Sequence, residues 1–379
     1  MDLEFSEEQD MLRDLVRGIC GTYASLDTVR SVEDDPIGYP VDFWEQLAAL
    51  DLTGLMIPEE YGGSGMTALE GAVVYEEFGR ALAPSPHFVS AILGAGVLLR
   101  GGSDDQKRAW LPRIAKGEAI VTTAWLEPGG SFGPKGVQTT ATTTADADGF
   151  VLQGTKWHVP FAAAATQLVV LARTGDAPTD VDLFLVDPAA EGVTLTQQFT
   201  IASDCQYQVE LSGVRVSAAD RLGAAGTGWA TWDAVLHEGL VFLAAQAIGG
   251  AGYSLEITVQ YAKDREQFDK PLGAFQAISH YLADAATAVN GGRILVYEAA
   301  WALANGKPID SLAPMAKLFA GQTFRDGTAM AQQVFGGVGF TLDYDIQLYF
   351  RRAKALQVAW LDDVTLREMV AVTVLDAPA

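Results

Sequence analysis

The sequence predicts a multidomain α+β protein in which a helical domain, a β domain and a second helical domain follow one another. Two observations support this order. Apolar residues recur at helical spacing up to about residue 120 and again after about residue 223. Between these segments, short runs rich in threonine and valine alternate with turn residues, which is typical of an all-β segment. We therefore place the domains at 1–120, 121–222 and 223–379.

The N-terminal segment carries start signals of helices. Ser6 and Gln9 have the spacing of a capping box, and apolar residues recur at helical intervals from Met11 onwards. Asp104 and Asp105 place negative charge at the positive end of a later helix. We therefore expect several helices before residue 120.

The middle segment is predicted to be β-structure and the C-terminal segment helical. Strand-like runs cover 139–144, 168–172 and 181–186, and one of the intervening turns lies at 146–149. We expect short strands that are too closely spaced for the helical crossovers of a parallel sheet. Helical periodicity returns over 241–262, 275–290, 293–305, 311–333 and 345–356.

Composition and charge exclude several classes of protein. The chain has 379 residues, of which 49% are hydrophobic and 19% charged, a balance that indicates a globular protein rather than a disordered one. The formal net charge is −23, so the field of the protein repels phosphate backbones and anionic lipid headgroups. We therefore expect no nucleic-acid partner and no membrane partner.

Cysteine and histidine usage bears on metal binding and on the cell compartment. The two cysteines, Cys20 and Cys205, have no metal-ligand spacing, and the four histidines lie far apart, so no metal site is expected. Residues 1–9 are acidic and lack the apolar core of a signal peptide, which predicts a cytoplasmic protein. The apolar stretch 239–257 contains four glycines and favours a buried helix over a bilayer span.

A segment around Arg265 carries residue types that suit a dinucleotide. Arg265 offers a planar, permanently charged fork for a pyrophosphate, and that charge is needed in so acidic a protein. Gln267 offers a hydrogen bond and Phe268 a stacking face. Alternatively, a neighbouring carboxylate, Asp264 or Glu266, pairs with the arginine and the segment is only structural.

A second segment, around residue 336, has complementary features. Gln333 offers an amide, and Gly336 and Gly337 lack the Cβ atoms that would keep backbone N–H groups away from an anion. The alternative is a plain glycine turn between two helices. Because both segments occur together, we favour a role in binding an anionic ligand over a purely structural one.

Three segments in this order, 101–131, 261–276 and 333–354, resemble the acyl-CoA dehydrogenase family, and the resemblance covers essentially the whole chain. It implies an N-terminal helical domain, a middle β-barrel-like domain, a C-terminal four-helix bundle, bound FAD and usually a tetramer. The family's reaction removes the pro-R proton α to the thioester of an acyl-CoA. A hydride passes from the β carbon to flavin N5, and an electron-transfer acceptor then takes up the electrons.

The resemblance assigns the flavin-binding residues to two groups. The first reaches the flavin of a neighbouring subunit and consists of Arg265, Gln267, Phe268, Gln333, Gly336 and Gly337. The second lines the chain's own flavin site, and there the sequence departs from the family pattern. Leu126 replaces a threonine, His158 and Pro160 replace the tryptophan and threonine of a Trp-Ile-Thr segment, and proline has no N–H. Ser131, which ends the first resembling segment, is a further candidate for binding the cofactor.

The catalytic base of the family is also altered. Trp360 occupies the position of the usual glutamate. A minority of the family carries its base on the first helix of the C-terminal bundle, a position that corresponds here to Gly239, with Glu238 beside it. Glu238 is therefore the candidate base, although an offset of one residue rotates a side chain by about 100° around a helix. The alternative is a surface acid near the start of a helix.

This combination is what a partner subunit would carry, because the residues that serve a neighbour are kept and those that serve the chain itself are changed. Heteromeric members of the family, known from actinobacterial degradation of sterol side chains and other bulky acyl groups, pair a base-bearing chain with one that lacks the base. We therefore expect an α2β2 heterotetrameric acyl-CoA dehydrogenase. The alternatives are a homotetramer that uses Glu238 and a flavin-free, acyl-CoA-binding scaffold of the same fold.

Overall fold

The computed structural model describes residues 5–145 and 148–375, and it confirms the predicted order of helices, strands and helices. The turn predicted at 146–149 lies partly outside these residues. A short π-helix, Phe88–Gly94, precedes α5. The α-helices are α1 (Glu7–Tyr23), α2 (Leu26–Ser31), α3 (Val41–Ala49), α4 (Ala68–Ala81), α5 (Ala95–Gly101), α6 (Asp104–Ala115), α7 (Gly228–Asp264), α8 (Gln276–Ala304), α9 (Leu312–Phe335), α10 (Ile346–Val358) and α11 (Asp363–Leu375).

Local capping explains where the predicted N-terminal helices begin. The Ser6 hydroxyl accepts from the Gln9 N–H at 3.2 Å, and the Gln9 side chain accepts from the Ser6 N–H at 3.1 Å. Ser103 and Gln106 form the same reciprocal pair at the start of α6. These contacts satisfy N–H groups that have no partner inside a helix.

The middle of the chain forms one eight-stranded sheet in the order β6-β7-β3-β2-β4-β5-β8, with β1 paired to β4. Two strands, β3 and β7, have 12 residues each, so the expectation of uniformly short strands is wrong. The pair β1–β4 is parallel, and the β2–β3 hairpin rather than a helix lies between its strands in the sequence. The strands are β1 (Val121–Ala124), β2 (Thr140–Thr143), β3 (Gly149–Pro160), β4 (Gln167–Arg173), β5 (Val181–Val186), β6 (Val193–Gln198), β7 (Gln206–Ser217) and β8 (Arg221–Leu222).

The residues group into two compact units. The first comprises Met1–Val29, Thr67–Ala83 and Leu240–Ala379, and the second comprises Arg30–Met66 and Pro84–Gly239. In the second unit, one face of the sheet packs a core that includes Leu152, Phe184 and Val209.

The first unit is helical, and ion pairs with partly exposed arginines join its helices. Glu77 of α4 is buried and accepts from Arg17 of α1 at 2.7 Å. Its neighbour Glu76 accepts from Arg293 and Tyr297 of α8 at 2.8 and 2.9 Å. Helix α9 packs against α8, α10 and α11.

Helix α8 contradicts one helix boundary that the sequence predicts. The sequence predicts separate helices over 275–290 and 293–305, whereas the structure shows one helix. A Cβ at Gly292 would lie 2.5 Å from the Cδ1 of Ile248, so this glycine allows close packing against α7. Tertiary packing therefore outweighs the low helix propensity of glycine.

Helix α7 is the one described helix that is long and apolar enough to cross a membrane. Of its apolar window, 78% is buried inside the protein. This burial agrees with the prediction of a core helix in this stretch.

Candidate functional site

The residues predicted to line the chain's own flavin site lie in the second unit, beside a bulge in β3. We call Leu126, Ser131, His158 and Pro160 the strand-loop set. The Leu126 carbonyl accepts from the N–H of Trp157 at 2.9 Å, so the loop after β1 lies directly against the bulge. Ser131 is exposed farther along that loop. The structure therefore brings together the segments that contain Leu126 and His158.

A buried ion pair fixes this loop, and the sequence analysis missed it. Lys156 Nζ lies 2.6 Å from Glu127 Oε1, and both side chains are buried. Glu127 also accepts from the N–H groups of Gln138 and Thr139, at 2.9 and 3.0 Å. Burial lowers the pKa of Lys156 to about 8, although Glu127 opposes this shift. The sequence signals that could have pointed to this pair were an acid shortly after β1 and a lysine within β3.

Most polar groups of the strand-loop set at the bulge already have hydrogen-bond partners within the chain. An extra residue lies between the pairs Lys156–Val209 and Val159–Tyr207, and His158 has a φ of +54°. The His158 N–H donates to Gln198 Oε1 at 2.8 Å, and its Nδ1 lies 2.8 Å from Gln206 Oε1. The Pro160 carbonyl accepts from the Thr122 hydroxyl at 2.7 Å.

The residues predicted to serve a neighbour's flavin lie together in the first unit. We call Arg265, Gln267, Phe268, Gln333, Gly336 and Gly337 the hairpin-turn set. The hairpin consists of β9 (Glu266–Gln267) and β10 (Lys270–Pro271), directly after α7. The Tyr261 ring stacks on that of Phe335 at 4.1 Å, and this contact joins the ends of α7 and α9.

The hairpin presents an aromatic ring and a guanidinium to solvent. Phe268 and Asp269, its two loop residues, have φ of +55° and +61°, as in a type I′ turn, and Phe268 is 87% exposed. Gln267 is exposed and donates to its neighbour's carbonyl at 2.7 Å. Among the described residues, Arg265 forms no ion pair with Asp264 or Glu266. Carboxylate pairing therefore does not account for Arg265.

The glycine turn after α9 supplies open backbone. Gly336 has φ +66° and ψ −145°, a conformation that essentially only glycine adopts. No atom within 4 Å would meet a Cβ at Gly336 or Gly337, and Gln333 is exposed on the last turn of α9. This face of the turn can therefore be approached closely.

Beneath the turn lies an orphaned amide that sequence reasoning missed. Gln332 is 3% exposed, and neither its Oε1 nor its Nε2 has a hydrogen-bond partner among the described residues. A Cβ at Gly339 would lie 2.5 Å from this Oε1. No signal in the sequence distinguishes Gln332 from the neighbouring Gln333.

The positions considered for the catalytic base, Glu238, Gly239 and Trp360, each have a different environment. Glu238 is 27% exposed and pairs with Arg100 of α5. A Cβ at Gly239 would lie 3.0 Å from Leu93 Cδ2 and 3.2 Å from Phe88 Cζ, so this position is crowded. Trp360 has a φ of +69° in the segment between α10 and α11. The part of the chain that the structure describes contains no cluster of metal-binding side chains.

Comparison with protein families matches three domain models along the chain. The acyl-CoA dehydrogenase N-terminal domain matches residues 6–118, the middle domain 122–214 and the C-terminal domain 226–362. The chain belongs to the acyl-CoA dehydrogenase family. It is an oxidoreductase of the class that acts on the CH–CH bond of acyl-CoA, and the family uses FAD. The exact domain boundaries predicted from the sequence stay predictions.

Individual relatives span the whole chain. The probable acyl-CoA dehydrogenase YngJ of Bacillus subtilis (strain 168) is 30% identical, covering 94% of this chain and 95% of its own. The ChsE4-ChsE5 complex from Mycobacterium tuberculosis contains a chain that is 28% identical with a TM-score of 0.90, and the match covers 100% of both chains. A variant of the Tcur3481-Tcur3483 steroid ACAD is 30% identical with a TM-score of 0.86, and the match covers 98% of both chains.

The two sets differ in how well they fit FAD. The hairpin-turn set offers an exposed guanidinium, an exposed aromatic ring and backbone without Cβ atoms, which suits the anionic ADP half. The strand-loop set offers leucine and proline where a flavin ring needs hydrogen-bonding groups, and its His158 N–H is already used. The fit is therefore good for the first set and poor for the second.

Proposed function

We propose that this chain is the partner subunit of a heteromeric acyl-CoA dehydrogenase and completes the flavin site of a second, base-bearing polypeptide. The contrast between the two sets carries this proposal. Arg265 is exposed and unpaired by its neighbouring acids, whereas the His158 N–H and the Pro160 carbonyl are used within the chain. A chain built in this way serves a flavin other than its own.

Each residue of the hairpin-turn set has a role that follows from its chemistry. The guanidinium of Arg265 would donate to the pyrophosphate, and the backbone at Gly336 and Gly337 would approach the same anion. Gln333 would supply an amide and Phe268 a stacking face. When bound, FAD supplies the hydride acceptor of the reaction.

Neither of the two described positions considered for the catalytic base, Glu238 and Trp360, offers a free proton acceptor. The carboxylate of Glu238 is already engaged in an ion pair with the guanidinium of Arg100. Trp360 has no acid–base group for proton abstraction. We therefore assign the base to the second polypeptide.

The relatives support the assembly and the substrate class. One similar structure is named as a complex of two chains and another as a steroid ACAD. By analogy, we propose an α2β2 assembly that acts on the CoA thioester of a bulky, steroid-like acyl group. We also propose a cytoplasmic location and a separate electron-transfer acceptor.

Flavin retention in a co-expressed complex tests the proposal. The chain is produced together with a base-bearing acyl-CoA dehydrogenase subunit of its own organism, and FAD per complex is measured by absorbance. Arg265→Ala should lower flavin content and weaken FAD binding by about tenfold or more, because a charge-assisted contact to phosphate is lost. Arg108→Ala is the matched control, since Arg108 is an exposed arginine in α6. Unchanged flavin content in Arg265→Ala, or turnover by the isolated chain with its own FAD, would contradict the proposal.

A further inference from the structure

Lys317 of α9 is a buried cation outside both flavin sets. Its side chain is 1% exposed. Its ammonium group donates to the carbonyls of Leu356, Gln357 and Leu361, at 2.8, 3.2 and 3.3 Å. An ammonium group has three donors, so every donor has a backbone acceptor.

Two of these acceptors lie in the last turn of α10, where carbonyls lack partners inside the helix. The negative end of a helix dipole favours a cation there, but α10 has no basic residue in its own last turn. Lys317 therefore supplies from α9 the charge that the end of α10 lacks.

The third acceptor lies beyond a strained turn. The Leu361 N–H donates to the Ala359 carbonyl at 2.9 Å, and Trp360 between them has a φ of +69°. This is the geometry of a γ-turn with positive φ, which is rare and strained for a residue with a side chain. Lys317 binds the backbone on both sides of Trp360 and so spans the turn.

We propose that Lys317 is a positioning residue that ties the end of α10 to Leu361 and thereby holds Trp360 in its strained conformation. This inference rests on the proposed function in one respect, namely that residue 360 is where related chains carry the base. Lys317 thus fixes an indole at the place of a carboxylate. Release of the turn would free Trp360 to move.

The charged groups around Lys317 come from three helices. Asp362 and Asp363, at the start of α11, favour its charged form, while burial lowers its pKa to about 8. Asp363 accepts from Gln357 and Gln322 and lies 3.7 Å from Arg325 of α9. Lys354 of α10 donates to Gln357. Lys317 is therefore the group in this cluster whose pKa burial brings to about 8.

Hydrogen exchange of the isolated full-length chain tests the positioning role of Lys317 without flavin or partner. Its outcome is therefore independent of the proposed function. Lys317→Met keeps a side chain of similar length and removes its charge. Amides of the peptide covering 356–362 should exchange about tenfold faster in this variant, with the other helices unchanged. The emission of Trp360, obtained as the difference from Trp360→Phe, should shift as well. Lys307→Met, at an exposed lysine of the same unit, should change neither signal.

Two further measurements separate positioning from general stabilisation. Trp360→Gly removes the cost of positive φ, so Lys317→Met should have a smaller effect in that background. In the unaltered chain, exchange of the 356–362 peptide should rise through about pH 8 beyond the rise of other peptides, because a neutral amine has one donor fewer. Equal effects of Lys317→Met in both backgrounds, or no transition near that pH in the unaltered chain, would overturn the proposal. The second result needs no variant to fold.

Discussion

Single side chains determine whether this chain can carry out proton abstraction. Glu238 follows the sequence logic of an alternative base, but the structure pairs it with Arg100. Gly239, at the position that the family resemblance indicates, faces Leu93 and Phe88. The residue-scale features therefore favour a base on another polypeptide.

Glu238→Gln tests this assignment in the co-purified complex. We expect kcat to change by less than about threefold, because the carboxylate serves an ion pair that is partly exposed. A loss of about a hundredfold, with flavin content and thermal stability unchanged, would identify Glu238 as the base. Glu210→Gln, at an exposed acid of β7, is the control.

Gln332 offers a second residue-scale prediction. Its amide is buried without a partner among the described residues, and such a group lowers the free energy of unfolding. Gln332→Leu should therefore raise the stability of the flavin-free chain by about 1 kcal/mol. Urea unfolding at constant m-value measures this change. Gln333→Leu, one residue along and exposed, should have little effect, and a clear loss of stability in Gln332→Leu would show that the amide has a partner.

At the scale of elements, the β9–β10 hairpin combines local strain with exposure. Phe268 occupies a left-handed position, which β-carbon crowding makes unfavourable, and most of its ring is in solvent. Nothing in the hairpin compensates for this conformation beyond an edge contact between the Phe268 and Phe275 rings at 6.2 Å. This placement agrees with the proposal that Phe268 contacts a ligand or subunit outside the chain.

Phe268→Asn tests this explanation, because asparagine tolerates the left-handed conformation. We expect the isolated chain to gain roughly 0.5–1 kcal/mol and the complex to lose flavin. Asp269→Gly is the matched control in the same turn, with little change in stability, because aspartate already tolerates the left-handed conformation, and with no loss of flavin. Full flavin retention in Phe268→Asn would remove Phe268 from the cofactor site.

At the scale of the whole molecule, stability is coupled to the protonation of a buried histidine. His87 is buried, its Nε2 lies 2.9 Å from the Leu52 carbonyl, and burial lowers its pKa from 6.5 to about 4. Between these two values the unfolded chain binds more protons than the folded chain, so stability falls as pH decreases through this window. The full contribution is about 3 kcal/mol.

His87→Gln should remove this part of the acid sensitivity while keeping a hydrogen-bond donor. We expect a smaller difference in the free energy of unfolding between about pH 6.5 and pH 4 than in the unaltered chain. Urea unfolding across this range measures it. An equal pH dependence in both proteins would show that carboxylates alone determine acid sensitivity. Replacement of His280, an exposed histidine, provides the control.

The fold was largely predictable because its signals are local. Capping pairs such as Ser6 with Gln9, and the change from helical to strand periodicity, depend on neighbours along the chain. The length of β3 and β7 was missed, although the alternation of buried Tyr207, Val209 and Leu211 with polar residues in β7 is itself a strand pattern. The continuity of α8 through Gly292 was also missed, because contact with Ile248 lies outside any local window.

By itself, the sequence determined the family, the order of helices and strands, and the residue types that suit a dinucleotide. These properties can be recognised in the sequence because their signals are motifs and patterns of residues that lie near one another along the chain. Only the tertiary structure decided that Arg265 is not paired by its neighbouring acids, that Glu238 meets Arg100, and that Lys317 spans the turn at Trp360. The physical reason is that partners such as Arg100 and Glu238 lie far apart in sequence, and only folding brings their charges within contact.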